Sequence, residues 1–160
     1  MIDETESWTP RLRSKTAIRT TSTKHFVDPA IATAILDASP NDLMNDLNTF
    51  GLLFENLVLR DLKIYAQTLN GYVYNYRDKS GLKADAVVHL NDGKWGLIEV
   101  KLGGEKLINE GAESLKLLKE KIDQNKMSQP SFLAVITAVD SFAYKRLDGV
   151  YVIPVACLKP

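Results

Sequence analysis

The stretch LKADAVVHLNDGKWGLIEVKLGG, Leu82 to Gly104, decides the fold. Its residues alternate with a period of two on either side of Asn91-Asp92-Gly93. This predicts two strands, Lys83 to Leu90 and Lys94 to Leu102, joined as a hairpin. Loop length then sets which side chains share a face. A two-residue loop at Asp92-Gly93 would put Asp85 opposite Val100, on the other face from Glu99. A three-residue loop pairs Leu90 with Lys94 and Asp85 with Glu99. Gly93 then takes the left-handed position of a bulged type I loop, which needs a glycine. The favoured second register gathers Ala84, Ala86, Val88 and Leu90 on one face, opposite Ile98 and Val100. The other face holds Asp85, Glu99 and Lys101. Directly paired residues have Cβ atoms about 5 Å apart, so the two carboxylates repel and one holds a proton unless a positive charge sits between them. Mg2+ is the natural occupant, since it takes one or two carboxylates together with waters and substrate oxygens. Lys101 points to the same side and can orient a metal-bound water or stabilise charge developing on a phosphate.

Upstream, the pattern is helical. Asp28 can cap a helix with Pro29 at its first position, and Ser39-Pro40 starts a second by the same logic. A long helix runs from Thr49 until Asn70-Gly71 ends it. Phe54, Val58, Leu62, Tyr65 and Leu69 form its apolar stripe, while Asn56, Arg60, Lys63 and Gln67 form the opposite polar face. Glu55 falls beside Leu59, Leu62 and Ala66 at one side of the apolar arc. It either snorkels to water or reaches the site made by Asp85 and Glu99. Tyr72 to Tyr76 predicts a strand ahead of the hairpin. Downstream come a helix from Leu107 to Ile122 and strands at Phe132 to Val139 and Val150 to Leu158. The unbroken apolar run FLAVITAV predicts burial on both faces. The fold class expected is α/β, a mixed α+β sheet flanked by helices. Residues 1–25 read as a polar arm and 26–160 as a single domain.

The chain has 160 residues, with Lys+Arg and Asp+Glu both 20 and a formal net charge of zero. That balance argues against a strong global nucleic-acid footprint. Between Glu6 and Asp28, however, the only charges are basic: Arg11, Arg13, Lys15, Arg19 and Lys24. They read as a solvated arm or as a local patch. The single cysteine, Cys157, excludes an internal disulfide framework, fits a reducing cytoplasm, and reads as a small core residue. No apolar run is long enough to span a bilayer, and the acidic MIDETESW start is no signal peptide, so a cytoplasmic protein is expected. His89 shares the face of Asp85 but lies about 13 Å away at strand rise, and reads as structural.

Glu55 on a helix, Asp85 at a strand start and Glu99-Val100-Lys101 on the next strand resemble the PD-(D/E)xK nuclease superfamily, the restriction-endonuclease-like fold. The element order, helix–three strands–helix–strand, is also that of its core, here with extra N-terminal helices. The short gap between Asp85 and Glu99 is similar to that of archaeal Holliday-junction resolvases. A closer resemblance covers nearly the whole chain. KHFVDPAIATAIL, GLLFENLVLRDL, YNYRDKSGLKADAVV and GLIEVKLGG look like the uncharacterised nuclease-like domain at the C-terminus of many prokaryotic AAA+-type ATPases. No GxxxxGK[ST] loop occurs in this sequence. The chain therefore reads as a standalone relative or as the last domain of a longer protein, with IPVACLKP resembling the family's natural end. Two positions depart from the pattern. Ala84 stands where the superfamily often has proline, and Lys83 stands where the family commonly has an acid.

The resemblance implies a metal-dependent endonuclease hydrolysing DNA, with RNA a lesser alternative. Asp85, Glu99 and the Val100 carbonyl would hold Mg2+ or Mn2+, and Glu55 would assist directly or through water. Lys101 would position the attacking water, while Arg77, Lys79 and Lys83 either contact phosphates or are plain surface charges. The alternative is a module that keeps the nuclease fold but binds a companion ATPase or a nucleic acid without cutting it. A third reading is a salt-bridged patch on a half-exposed sheet. A homodimer is expected by analogy, because nucleases of this fold often cut two strands as pairs.

Overall fold

The computed structural model describes residues 1–10, 21–123, 125 and 127–159. Asp28 and Ser39 cap helices α1 (Pro29–Ile35) and α2 (Pro40–Asn45), each with proline at its start as expected. Helix α3 (Leu47–Thr68) begins earlier than its apolar pattern suggests, because the Asp46 side chain accepts the Thr49 N–H and adds a turn. Three antiparallel strands follow: β3 (Gly71–Arg77), β4 (Lys83–Leu90) and β5 (Trp95–Lys101). Helix α4 (Glu105–Lys121) then crosses to β6 (Phe132–Thr137), which lies parallel to β5. Two further strands, β7 (Tyr144–Lys145) and β8 (Tyr151–Pro154), complete a mixed six-stranded sheet of order β3-β4-β5-β6-β8-β7.

The hairpin adopts the three-residue loop. Leu90 donates its N–H to the Lys94 carbonyl, Ala86 pairs with Ile98, and Gly93 has φ 86°. Strand alternation then divides the core in two. Val87, Trp95, Leu97 and Val135 pack under α4 against Ala112, Leu115 and Leu118. Ala86, Ile98, Val100 and Ile136 pack under α3 against Phe54, Val58 and Leu62. Each fully buried Leu or Val contributes about 1.5–3 kcal/mol. Central β6 is covered on both faces, as FLAVITAV predicts, but the strand stops at Thr137 and Val139 beyond it is exposed.

Ala84 breaks the expected face pattern by packing in the α4 core rather than the α3 core. The cause is a register shift between Tyr74 and Tyr76: Tyr74 pairs with Val87 but Tyr76 with Ala84. Asp85 and Ala86 therefore oppose the single residue Asn75, a bulge that re-aims β4 near its start.

The N-terminal segment also differs from a loose arm. Strand β1 (Ile2–Thr5) pairs antiparallel with β2 (Thr23–Phe26), and Ser7 bridges Asn75 on the outer edge of β3. Trp8 is buried against Trp95, with ring centroids 4.9 Å apart. Its Nε1 donates to His89 Nδ1 at 3.4 Å, consistent with a structural His89. Of the basic run, Arg11, Arg13, Lys15 and Arg19 lie outside the described residues, while Lys24 lies in β2 near Glu4. Two more expectations are corrected. Cys157 is exposed, because the chain leaves β8 at Pro154 for a short 3-10 turn. Leu69 is 62% exposed, because it caps α3 instead of continuing the stripe. Among the described residues no helix is long and apolar enough to cross a membrane.

Candidate functional site

The site forms where the β4–β5 ladder opens. Ala86 and Ile98 form a hydrogen-bonded pair, so the next such pair would be Ala84 and Val100. The bulge carries Ala84 away, and the Asp85 carboxylate replaces its carbonyl: Oδ2 accepts the Val100 N–H at 2.9 Å. N–H and C=O of one residue face the same neighbour in an antiparallel ladder, so the Val100 carbonyl also faces β4. Asp85 is thereby locked between the strands, while Lys83 Nζ lies 2.7 Å from Oδ1.

Glu99 and Lys101 project from β5 toward α4. Lys101 Nζ lies 2.7 Å from Glu99 Oε2, whereas Glu99 Oε1 is buried and has no hydrogen-bond partner among the described residues. Gly111 makes room for both. A Cβ there would lie 3.4 Å from Glu99 Cβ and 3.4 Å from Lys101 Cε. Burial, then the charge of Asp85, pushes the Glu99 carboxyl up to about 7, against the pull of Lys101 and Lys83. Glu55, half-buried on α3, is pushed up to about 7 by burial and then by Asp85. For Lys83, burial opposes the charged form, but Asp85, Glu99 and Glu55 outweigh it and raise its pKa.

A cavity of about 460 Å³ opens at this point, and Glu55, Asp85, Lys83 and Arg77 line it. Glu99 and Lys101 sit behind it, under α4. Lys79 stands exposed in the turn after β3 and is not on its wall. The sequence reading missed the opposite wall, Thr21 to His25, which belongs to the segment read as an arm. It also placed Asn56 on a solvated helix face. Asn56 is buried instead and clamps β2: its Oδ1 accepts the Phe26 N–H and its Nδ2 donates to the Phe26 carbonyl, both at 2.8 Å. Arg60 likewise pairs with Asp28, and Lys63 with Asp3, so much of that polar face is a docking surface. His25 faces the cavity with a buried Nε2 that has no partner among the described residues, and burial, then Lys63, lowers its pKa.

Among the described residues no group of three or more His, Cys, Asp or Glu side chains is assembled to hold a metal ion. The donors at hand are instead the carboxylates of Asp85 and Glu99 with the Val100 carbonyl, a set that suits a hard divalent cation completed by water and substrate oxygens. The orphaned Glu99 Oε1 and the repulsion that Asp85 exerts on Glu99 and on Glu55 fit such a cation.

The family described as "Domain of unknown function (DUF4143)" matches residues 50–158. The match spans Glu55, Asp85, Glu99 and Lys101 but stops short of the β2 wall. No curated protein and no solved structure matches this chain.

Proposed function

Since this chain belongs to the DUF4143 family, whose description names no activity, we propose from its site that it is a PD-(D/E)xK-type, metal-dependent phosphodiesterase acting on DNA. The observation that carries the reading is Glu99 Oε1, a buried carboxylate oxygen with no partner, held beside Asp85 where the ladder opens. Asp85, Glu99 and the Val100 carbonyl would hold Mg2+ or Mn2+, with Glu55 assisting directly or through water. The metal would supply Lewis-acid stabilisation of the phosphate. Lys101, fixed against Glu99, orients the attacking water and offsets negative charge developing on the phosphorus oxygens. Arg77 and Lys83 on the cavity wall contact flanking phosphates, whereas Lys79 is not on that wall. The partner suggested by the resemblance, an AAA+-type ATPase domain, and a homodimer belong to the same proposal.

The test is incubation with supercoiled, single-stranded and branched DNA in Mg2+ or Mn2+. Cleavage that falls at least 100-fold in Lys101→Ala supports the enzyme. Cleavage that persists in that variant removes it.

One observation favours the alternative of a non-catalytic module binding a partner ATPase or nucleic acid. Both Asp85 oxygens already have protein partners, Lys83 and the Val100 N–H. Under that reading the chain retains DNA or the ATPase without cutting, and calorimetry finds no Mn2+ binding.

A further inference from the structure

The seat described above already contains a positive charge supplied by the chain. Asp85 Oδ2 accepts a backbone N–H that cannot leave without dismantling β5. Asp85 Oδ1, by contrast, is held by Lys83, a flexible side chain 41% exposed on the cavity wall, while the Asp85 side chain is only 3% exposed. Glu99 shows the same asymmetry: Oε2 is held by Lys101, and Oε1 has no partner. A cation approaching through the cavity meets Asp85 first, one of whose oxygens is blocked by a movable ammonium; the unpartnered Glu99 oxygen lies behind the cavity wall. We propose that Lys83 is a tethered counter-ion that competes with divalent cations for Asp85, so that cation binding requires its ammonium to swing into the cavity.

This inference rests on the reading of Asp85 and Glu99 as a cation seat. It follows from charge and geometry. A divalent ion beside Asp85 and a lysine held 2.7 Å from the same carboxylate repel each other at short range, and the burial of Asp85 limits how far water screens them. Lys101 does not play this part, because it is paired with Glu99 rather than Asp85. The arrangement keeps Asp85 compensated in the absence of metal, when an uncompensated buried carboxylate would be costly. It also lowers metal affinity by the work of displacing Lys83.

The experiment is calorimetric titration of Mn2+ into chelator-stripped protein. It compares the native chain with Lys83→Met, Lys83→Gln, Lys83→Arg and the double variant Lys83→Met/Asp85→Asn. Lys83→Met and Lys83→Gln are expected to bind Mn2+ about tenfold more tightly than the native chain. Lys83→Arg, which keeps the charge, should bind as weakly as native, and the double variant should lose the gain. Using two neutral replacements guards against one that fails to fold. Native binding matched within about twofold by both neutral variants overturns the counter-ion while leaving the cation seat intact. No Mn2+ binding by any of the proteins removes the seat itself, and the counter-ion with it.

Discussion

Glu99 is the residue in which burial and function conflict most directly. It is 1% exposed, and one of its oxygens has no partner. Without metal, its carboxyl is raised from 4.5 to about 7. The folded chain therefore holds a proton that the unfolded chain releases between those values. Stability from this group is complete below about 4.5 and is lost as pH rises through about 7. Glu55 acts in the same direction, with a smaller contribution because it is half-buried. In chelator-treated protein, urea midpoints should fall across that interval. Glu99→Gln, which needs no charge, should flatten the profile and exceed native stability at pH 8 by on the order of 2 kcal/mol. A native midpoint that climbs over the same interval contradicts the raised carboxyl. The alignment of β4 with β5 could be read from sequence, because Gly93 selects the loop and the loop selects the register. The role of Asp85 as a stand-in for a backbone carbonyl could not, since only the bulge opposite Asn75 creates the vacancy it fills.

Two elements enclose the site: β2 is held by a side chain that sequence periodicity misreads, and α4 closes in through a residue that has no side chain. Strand β2 is held to α3 by the Asn56 amide, which pairs with both backbone groups of Phe26 as a neighbouring strand would. Helical spacing makes Asn56 look solvent-facing because the pattern carries no record of a strand laid over it. Asn56→Ala leaves both Phe26 groups unpaired and should cost about 1–3 kcal/mol. The matching local signature is faster hydrogen exchange at the Phe26 amide; unchanged exchange there would mean that β2 is held by something else. On the other side, α4 approaches β5 through Gly111. Alanine there gains about 1 kcal/mol of helix propensity but sets a methyl 3.3 Å from Val135 Cγ2 and against Glu99 and Lys101. The two effects oppose each other, so Gly111→Ala should shift the melting temperature little. It should still reduce cleavage several-fold by displacing Lys101. Equal rates for native and variant would show that Lys101 has slack. The β4 limits, Lys83 to Leu90, were readable because both faces are patterned, whereas two-residue β7 is too short to show a period.

At the scale of the molecule, the family-matched segment and the folded unit do not coincide. Residues 50–158 carry Glu55, Asp85, Glu99 and Lys101, but the cavity that exposes Asp85 is closed on its far side by Thr21 to His25. Those residues are held by β1, and β1 is tied to the sheet through the Ser7–Asn75 bridge and Trp8. Asn75 is also the residue opposite the bulge, so the backbone groups it withholds from β4 are taken up by the N-terminal segment: its N–H donates to Glu6 and its carbonyl accepts from Trp8. The ribbon and the bulge thus depend on each other. Sequence hid this because a two-stranded ribbon with mostly exposed faces needs few apolar residues, and its Thr, Lys and Asp look like an arm. Trp8 is the exception, 5% exposed between Trp95 and His89. A loose arm would lose nothing on Trp8→Ala. An integral ribbon should lose about 3–5 kcal/mol, as for other buried aromatic truncations. The urea transition should move to lower denaturant as one step, because the ribbon shares its core with β3, β5 and α4. A midpoint equal to the native one, or a separate early transition of small amplitude, would detach the ribbon from the domain and leave the cavity with one wall.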